Sequence, residues 1–355
     1  MFKNLFFFFI LIFILNYNYF ILCFNYDDAI FVPENTSGSY PKFSDFQLNY
    51  EKKCGEVFKH KKNNERDIVF FGYKYYRKKE NELLSLIYSS LDSFKHSIPN
   101  AKIVCFFPKY QMFRKIAKIL KEFNITIIPF DDYYGIHIVT SRFFLIKKYL
   151  EENKNKYDRI LLSDLGDVFV LNDIFSTFSE DELFLNKECF YYLTKNETRD
   201  CIHINTFNTT KRWLNYFFEG EILKNLTERN PVNLNAGIIM GGTEKILKFL
   251  EIFLKNLENI NKRFLRKFGY DQTILNYLYY YNYFDSIPLK LETCSQRTCF
   301  RSQSLRFNKN TTKIIFKEDE CSPVLFHKFF PESWRNDEIN NNNNNNNKQN
   351  TKQDL

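Results

Sequence analysis

The sequence predicts an α/β fold, because apolar strands alternate with amphipathic helices through its first half. Buried strands are expected at residues 67–73, 102–107, 125–129 and 159–163. Apolar residues at helical spacing fill the intervals between them, at residues 79–96, 110–123 and 141–150. Such alternation is typical of a parallel, Rossmann-like sheet that helices cover on both faces.

The second half of the chain is less regular. Strands are expected at residues 190–193, 234–240, 314–317 and 324–327, and helices at residues 211–218, 244–257 and 272–279. The chain ends in an Asn-rich, polar stretch, which is typical of disordered low-complexity sequence. We therefore expect a stem or linker over residues 25–66, one folded domain over residues 67–334 and a disordered tail over residues 335–355.

The N-terminus carries a hydrophobic segment. Lys3 precedes an apolar run over residues 5–24, which residues 16–19 interrupt. About twenty residues suffice to span a bilayer, whereas the purer stretch 5–15 has the length of a signal-peptide core. No small-x-small cleavage site stands out, which favours an uncleaved signal anchor over a cleaved signal peptide. We therefore expect a single-pass type II membrane protein of the Golgi or endoplasmic reticulum lumen, or a secreted protein if the segment is cleaved.

Sequons and cysteines agree with that compartment. Six Asn-x-Ser/Thr acceptors occur, at Asn35, Asn124, Asn196, Asn208, Asn225 and Asn310. Of the eight cysteines, Cys23 lies in the apolar segment and Cys105 in a predicted strand, which leaves an even number for disulfides. The expected pairs are Cys189 with Cys201 and Cys294 with Cys299. A zinc site is the alternative, and the lack of any C-x-x-C pair speaks against it.

Several function classes are disfavoured. The net charge of +8 is spread along the chain without a basic stripe interleaved with aromatics, so nucleic-acid binding is not expected. No G-x-G-x-x-G follows the first strand, and no Walker A loop occurs. A dinucleotide fingerprint and a P-loop are therefore both missing from the sequence.

Two carboxylates stand where a buried strand ends. Asp164 and Asp167, with Gly166 between them, follow the strand at 159–163 directly. Acids in that position commonly hold a cation, because a carboxylate that loses hydration needs a strong partner, and ligand crevices of such sheets lie at the carboxyl ends of the strands. The alternative is an ordinary strand-to-turn junction, where Asp and Gly are also common.

Further short elements follow in order. Asn235-Ala-Gly opens a segment of small residues, Asp271-Gln272 opens a helix, and Leu325-Phe-His327 ends a strand. This order resembles that of the GT-A fold glycosyltransferases, the nucleotide-diphospho-sugar transferases, over roughly residues 67–334. The resemblance implies a GT-A-like, Rossmann-type mixed sheet flanked by helices, and an enzyme that moves a hexose from a nucleotide-diphosphate sugar to a glycan or glycoprotein acceptor.

The resemblance also implies roles for residues of this chain. Asp164, Asp167 and His327 match ligands of Mn²⁺ or Mg²⁺, and Asp271 and Gln272 match the acceptor-side catalytic pair. Donor-binding positions are matched by Arg142, Asn235, Ala236, Gly237 and Lys328. Two carboxylates and one imidazole would leave positions open for phosphate oxygens. The chain departs from the usual pattern in having D-x-x-D instead of D-x-D and in lacking a Gly and Lys shortly after the late His, so no branch is assigned.

Two alternatives remain beside a glycosyltransferase. A metal-dependent phosphotransferase or phosphodiesterase would normally need more metal ligands, whereas this chain has 5 His and no H-x-H or H-x-x-x-H. A catalytically silent relative could bind glycans or act as a scaffold in the lumen on the same fold, since a fold can outlive its chemistry.

Overall fold

The computed structural model describes residues 41–72, 80–109, 114–131, 136–191, 199–205, 208–258, 266–300, 306–308, 313–315 and 321–327. The strands in this part are β1 Phe46–Gln47, β2 Asp67–Gly72, β3 Lys102–Pro108, β4 Thr126–Phe130, β5 Arg159–Asp164, β6 Val168–Val170, β7 Leu183–Lys187, β8 Cys189–Tyr191, β9 Arg199–Cys201, β10 Leu234–Gly242, β11 Leu289–Glu292, β12 Thr298–Phe300, β13 Arg306–Asn308, β14 Lys313–Ile315 and β15 Leu325–His327. The helices are α1 Glu80–Ser97, α2 Arg114–Glu122, α3 Ile138–Glu152, α4 Asn208–Phe217, α5 Gly220–Arg229, α6 Thr243–Glu258 and α7 Tyr270–Tyr280.

A seven-stranded mixed sheet forms the centre of the described part, in the order β11-β7-β10-β5-β2-β3-β4. The strands β2, β3, β4 and β5 run parallel, β10 runs antiparallel to both β5 and β7, and β11 runs parallel to β7. The predicted α/β class, a Rossmann-type mixed sheet flanked by helices, is confirmed.

Side chains alternate between the two faces of this sheet. In β2, Ile68 and Phe70 join the apolar cluster that contains α3, α6 and α7. Val69 and Phe71 join the cluster on the opposite face, which contains α1 and α2. A strand that is buried on both faces reads as an unbroken apolar run, which is why β2 was visible in the sequence.

A buried ion pair ties the beginnings of β2 and β5 together, at the end of the sheet away from the acidic turn. Arg159 donates from Nε and Nη2 to the two carboxylate oxygens of Asp67, at 2.8 and 2.7 Å. Burial raises the pKa of Asp67, and the Arg159 guanidinium opposes that rise. The pair therefore fixes the register of these two neighbouring strands where they begin, and the ladder continues in that register to Gly72 opposite Asp164.

A smaller sheet places a short strand beside the acidic turn. Its order among the described strands is β12-β15-β6, with β15 antiparallel to β6 and parallel to β12. Since β6 follows β5 after three residues, the chain leaves the large sheet at the acidic turn and enters the small one at once.

Residues 41–66 belong to the folded part of the chain, which corrects the predicted stem boundary. Strand β1 pairs with β14, and Cys54 forms a disulfide with Cys321. Tyr50 donates its hydroxyl to the carbonyl oxygen of Pro323 at 2.8 Å. The sequence concealed this because the segment folds into short 3-10 turns and a two-residue strand, which carry no periodicity.

The expected disulfides are present. Cys189 bonds to Cys201 and Cys294 bonds to Cys299, as predicted, and Cys54 bonds to Cys321. Cys105 is a buried free thiol, and burial raises its pKa. The N-terminal segment 1–24 and the tail 335–355 lie outside the described residues. Within the described ranges, no helix combines the length and the apolar character that crossing a bilayer requires.

Candidate metal centre

A glycine makes the acidic turn between β5 and β6 possible. Gly166 has a φ of 110°, a left-handed conformation that favours glycine. A Cβ atom there would lie 3.6 Å from the side chains of Leu86 and Ile87 on α1. The turn therefore needs glycine for its backbone conformation, and it connects Asp164 at the end of β5 to Asp167 directly before β6.

A row of serines on α1 holds β6, the strand that follows the turn. Ser90 donates to the carbonyl oxygen of Val168 at 2.6 Å, and Ser97 donates to that of Val170 at 2.7 Å. The N–H of Val170 donates to Ser93 Oγ at 3.1 Å. These hydroxyls satisfy the backbone of a buried edge strand, which would otherwise lose hydrogen bonds to water. The second aspartate thus precedes a strand that is fixed on both sides.

Strand register brings His327 to the two aspartates. His327 lies opposite Val168 in the β15–β6 pair, one residue beyond Asp167. Its Nε2 is 3.5 Å from Asp167 Oδ1 and 3.7 Å from Asp164 Oδ2. One ligand atom from each of the three residues lies within 4.8 Å of the others.

The imidazole is the part of this cluster that calls for a ligand. His327 is 1% exposed, and neither ring nitrogen has a hydrogen-bond partner among the described residues. A buried polar group without a partner costs free energy unless something else satisfies it. Two carboxylates with an imidazole suit Mn²⁺ or Mg²⁺, which take oxygen ligands and, for Mn²⁺, an occasional nitrogen. The residues present therefore fit a divalent cation.

Arg142 on α3 joins this cluster to the start of α7. Its Nη1 donates to Asp164 Oδ1 at 2.5 Å, and its Nη2 donates to Ala236 O at 2.7 Å and to Asp271 Oδ2 at 3.3 Å. Burial lowers the pKa of Arg142, but the charges of Asp164 and Asp271 outweigh burial and raise that pKa. A Cβ on Gly72 would come within 2.8 Å of the Arg142 side chain, so a glycine at this position leaves room for that side chain.

The predicted donor segment 235–237 meets the cluster at a second glycine. A Cβ on Gly237 would lie 2.3 Å from Asp164 Oδ2 and 2.9 Å from Asn235 Oδ1. The Gly237 N–H donates to Asn235 Oδ1 at 2.8 Å. The pairing of β10 with β7 is irregular between Asn235 and Ile239, which turns this stretch out of the regular pleat. Gly237 is therefore what allows a strand backbone to approach the Asp164 carboxylate so closely.

Asp271 and Gln272 lie at the beginning of α7, in two different environments. Asp271 is buried beside Arg142, and burial raises its pKa while the arginine opposes the rise. Gln272 donates from Nε2 to Glu188 Oε1 at 3.2 Å. Asn276 fixes the helix to β10, since its Oδ1 accepts from Leu234 N at 2.8 Å and its Nδ2 donates to Leu234 O at 3.1 Å.

Almost all the residues that the sequence singled out come together here. Asp164, Asp167 and His327 form the cluster, and Arg142, Asp271, Asn235, Ala236 and Gly237 are linked to it by the contacts above. Gln272 is linked only indirectly, because its side chain contacts Glu188, which also bonds Asn235. Lys328 lies outside the described residues. Sequence reasoning missed Glu188, because the strand that precedes it was not recognised. No local signal marks it, because Asn186 and Lys187 separate it from the apolar residues 183–185.

No family model matches the chain, and no curated protein matches it either. Among solved structures, it is similar to 4-diphosphocytidyl-2C-methyl-D-erythritol synthase from Anaerococcus prevotii, with a TM-score of 0.34 and 12% sequence identity over 64% of this chain and 86% of that chain. At so low a TM-score the likeness carries no argument, and the functional assignment rests on the site itself.

Proposed function

We propose that this chain is a metal-dependent glycosyltransferase that moves a hexose from a nucleotide-diphosphate sugar to a hydroxyl of a glycan or glycoprotein. The observation that carries the proposal is the convergence of Asp164, Asp167 and a buried, unsatisfied His327 at the carboxyl end of the central strand β5. Ligands of an α/β sheet bind at this end of its strands. The resemblance in the order of the sequence elements points to the same reaction.

The cluster is the part that would hold the cation. Asp164, Asp167 and His327 would bind Mn²⁺ or Mg²⁺, and when bound the cation supplies Lewis-acid chemistry that offsets charge on a departing diphosphate. Asp164 can serve two partners, because its Oδ1 accepts from Arg142 while its Oδ2 faces His327. Arg142 thereby sets the orientation of a ligand carboxylate and does not itself need to reach the donor.

The transfer forms one bond and breaks one. The acceptor hydroxyl oxygen bonds to the anomeric carbon of the sugar, and the bond from that carbon to the diphosphate oxygen breaks, with its electron pair leaving on the nucleoside diphosphate. The hydroxyl proton goes to a base, and we assign Asp271 to orient that hydroxyl or to take its proton. Burial raises the pKa of Asp271, which makes its carboxylate a better base than an exposed one.

We also propose that the enzyme acts in the lumen of the Golgi or endoplasmic reticulum, anchored by residues 5–24. Disulfides at Cys54–Cys321, Cys189–Cys201 and Cys294–Cys299 support an oxidising compartment. A tag at the C-terminus would then be protected from protease in intact microsomes and exposed after detergent is added. Digestion of the tag in intact microsomes would contradict the lumenal orientation.

The reaction is tested on the full chain, purified from a secretory host. Release of nucleoside diphosphate is measured from a panel of UDP- and GDP-hexoses, with Mn²⁺ and with EDTA. We expect one donor to be consumed only with the metal. We expect Asp167→Ala to lower kcat at least about 100-fold, because the Lewis-acid contribution is worth several kcal/mol.

The matched control lies at the other end of the same sheet. Asp158 precedes β5 and pairs with Arg66 at the surface, so Asp158→Asn should leave the rate unchanged. No release by the wild-type chain, together with no binding of UDP or GDP by calorimetry, would contradict the transferase and favour a silent glycan-binding protein. Equal rates in Asp167→Ala and the wild type would contradict the role of the acidic turn.

A further inference from the structure

A buried glutamate that the mechanism above does not use lies beside the centre. Glu188 directly follows β7 and is 6% exposed. Its Oε1 accepts from Asn235 Nδ2 at 2.7 Å and from Gln272 Nε2 at 3.2 Å, and its Oε2 accepts from Asn233 Nδ2 at 2.5 Å. These side chains come from the region of β10 and from α7. A carboxylate so far from water is stable only where donors surround it, and these amides provide them.

Main-chain hydrogen bonds fix the backbone around Glu188. Its N–H donates to the carbonyl oxygen of Asn233 at 2.8 Å, and its own carbonyl oxygen accepts from Ile202 N at 2.8 Å. The next residue, Cys189, is fully buried and bonds to Cys201. These bonds fix the backbone on both sides of Glu188, which restricts where its carboxylate can lie.

Both carboxylate oxygens of Glu188 act as acceptors, so each amide turns its NH₂ group towards them. For Asn235 the consequence is visible, because its Oδ1 lies on the other side and accepts the N–H of Gly237 beside Asp164. The same constraint turns the carbonyl oxygen of Gln272 away from Glu188. Gln272 is half-buried and follows Asp271 in the chain. Asp271 is bonded to Arg142, which in turn contacts Asp164 of the cluster.

We propose that Glu188 is a positioning residue that orients the Gln272 carboxamide so that its carbonyl oxygen accepts a hydrogen bond from a hydroxyl of the transferred sugar. This inference rests on the proposed function. It adds that the group of the donor sugar in contact with Gln272 is a hydroxyl, which donates the hydrogen bond. A site built to bond a hydroxyl discriminates strongly against the analogue that lacks it, because the buried acceptor is then left without a partner. Glu188 thus controls donor specificity without contacting the donor.

The first test replaces the charge and keeps the shape. Glu188→Gln offers an NH₂ group of its own, so it cannot accept from all the amides around it, and the Gln272 carboxamide is free to turn over. With the donor that the hexose panel identifies, we expect kcat to fall roughly 10- to 100-fold, as misorientation of a positioning group does. Binding of Mn²⁺ alone, for which the proposed ligands are Asp164, Asp167 and His327, should stay within about twofold of the wild type.

A matched control flanks the other end of the same strand. Glu182 directly precedes β7 and pairs with Lys290, away from the cluster. Glu182→Gln makes the same chemical change and should keep the wild-type kcat. A loss of kcat in Glu182→Gln equal to that in Glu188→Gln would show that the effect is one of general stability and would overturn the positioning role.

A double-mutant cycle tests whether Glu188 acts through Gln272. If it does, adding Glu188→Gln to Gln272→Ala lowers kcat much less than it does in the wild type. Losses that multiply independently would overturn the inference. Glu188→Asp keeps the charge and serves as a second variant if Glu188→Gln does not fold. Its shorter reach should give an intermediate kcat, and a wild-type kcat would overturn the positioning role.

An activity-independent readout separates this inference from the proposed function. Side-chain amide signals of Asn235 and Gln272 are followed by NMR in ¹⁵N-labelled protein without donor. We expect them to shift in Glu188→Gln and to stay in place in Glu182→Gln. Unchanged signals in Glu188→Gln would defeat the positioning role even in an active enzyme. No turnover by the wild type would contradict both the proposed function and the contact with a sugar hydroxyl. Shifted amide signals in Glu188→Gln would in that case still support the orientation of Asn235 and Gln272 by Glu188.

Discussion

At the scale of single residues, the site depends on glycines as much as on charged groups. Asp164 makes its contacts with Arg142 and faces His327 only because a backbone without a Cβ passes beside it at Gly237. The segment 235–237 was predicted to line the donor pocket. Its glycine is explained here by the close packing of the Asp164 carboxylate against β10. The lack of a Cβ at Gly237 therefore directly affects where the Asp164 carboxylate, a proposed metal ligand, can lie.

Gly237→Ala should therefore impair the site. The new Cβ would lie 2.3 Å from Asp164 Oδ2 in the present arrangement, so the carboxylate must move away from His327. We expect a loss of stability of about 1–3 kcal/mol, as for overpacking in a core, and a clear loss of Mn²⁺ affinity. Both are measurable, by urea unfolding and by calorimetric titration.

Gly220→Ala is the control for that substitution. Gly220 has a φ of 58° and no atom within 4 Å of where a Cβ would lie, so the cost there comes from backbone strain alone. It should destabilise the chain by about 1–2 kcal/mol and leave metal binding intact. If Gly237→Ala bound Mn²⁺ as tightly as Gly220→Ala, the close approach at Asp164 would not matter for the site.

At the scale of elements, disulfides and hydrogen bonds from neighbouring segments position the short strands. β15 has three residues, and it carries His327 into the cluster. Its start is tied to the N-terminal segment, since Cys321 bonds to Cys54, Asn49 N donates to Ser322 Oγ at 2.8 Å, and Tyr50 bonds Pro323. The neighbouring β12 contains Cys299, which bonds to Cys294. The position of His327, a proposed metal ligand on so short a strand, is therefore expected to depend on these disulfides.

Removal of the long-range disulfide tests that dependence. We expect Cys54→Ser with Cys321→Ser to lower the free energy of unfolding by about 2–5 kcal/mol, because the bond closes a long loop in the unfolded chain. The affinity for Mn²⁺ should also fall, since β15 loses an anchor. Cys105→Ala removes a buried free thiol in β3 and should keep the affinity. Unchanged Mn²⁺ binding in the double variant would show that strand pairing alone places His327.

At the scale of the whole molecule, part of the fold was predictable for physical reasons. β2, β3 and β5 are buried on both faces, so their sequences are unbroken apolar runs. β7 escaped notice because its five residues include Asn186 and Lys187 and acids flank it. α5 was missed as well, since it begins at a glycine and is largely polar. The antiparallel direction of β10 is a property of chain topology that periodicity does not contain.

Some residues of the site could likewise be predicted from the sequence, and others could not. Asp164 and Asp167 could be singled out because they end a recognisable strand. The position of His327 beside them depends on the register of β15 against β6, and the partner of Cys54 lies 267 residues away. Neither follows from local sequence. Glu188 was invisible for the same reason as β7, and only the assembled structure shows which amides surround it.

The central claim is that Asp164, Asp167 and His327 bind a divalent cation, and Mn²⁺ binding followed by electron paramagnetic resonance tests it most directly. We predict one site-bound Mn²⁺ per chain, whose affinity falls about tenfold or more in His327→Gln and stays unchanged in His60→Gln, a histidine near Glu182 with 34% of its side chain exposed. No site-bound Mn²⁺ in the wild type, or equal affinity in His327→Gln, would contradict the claim.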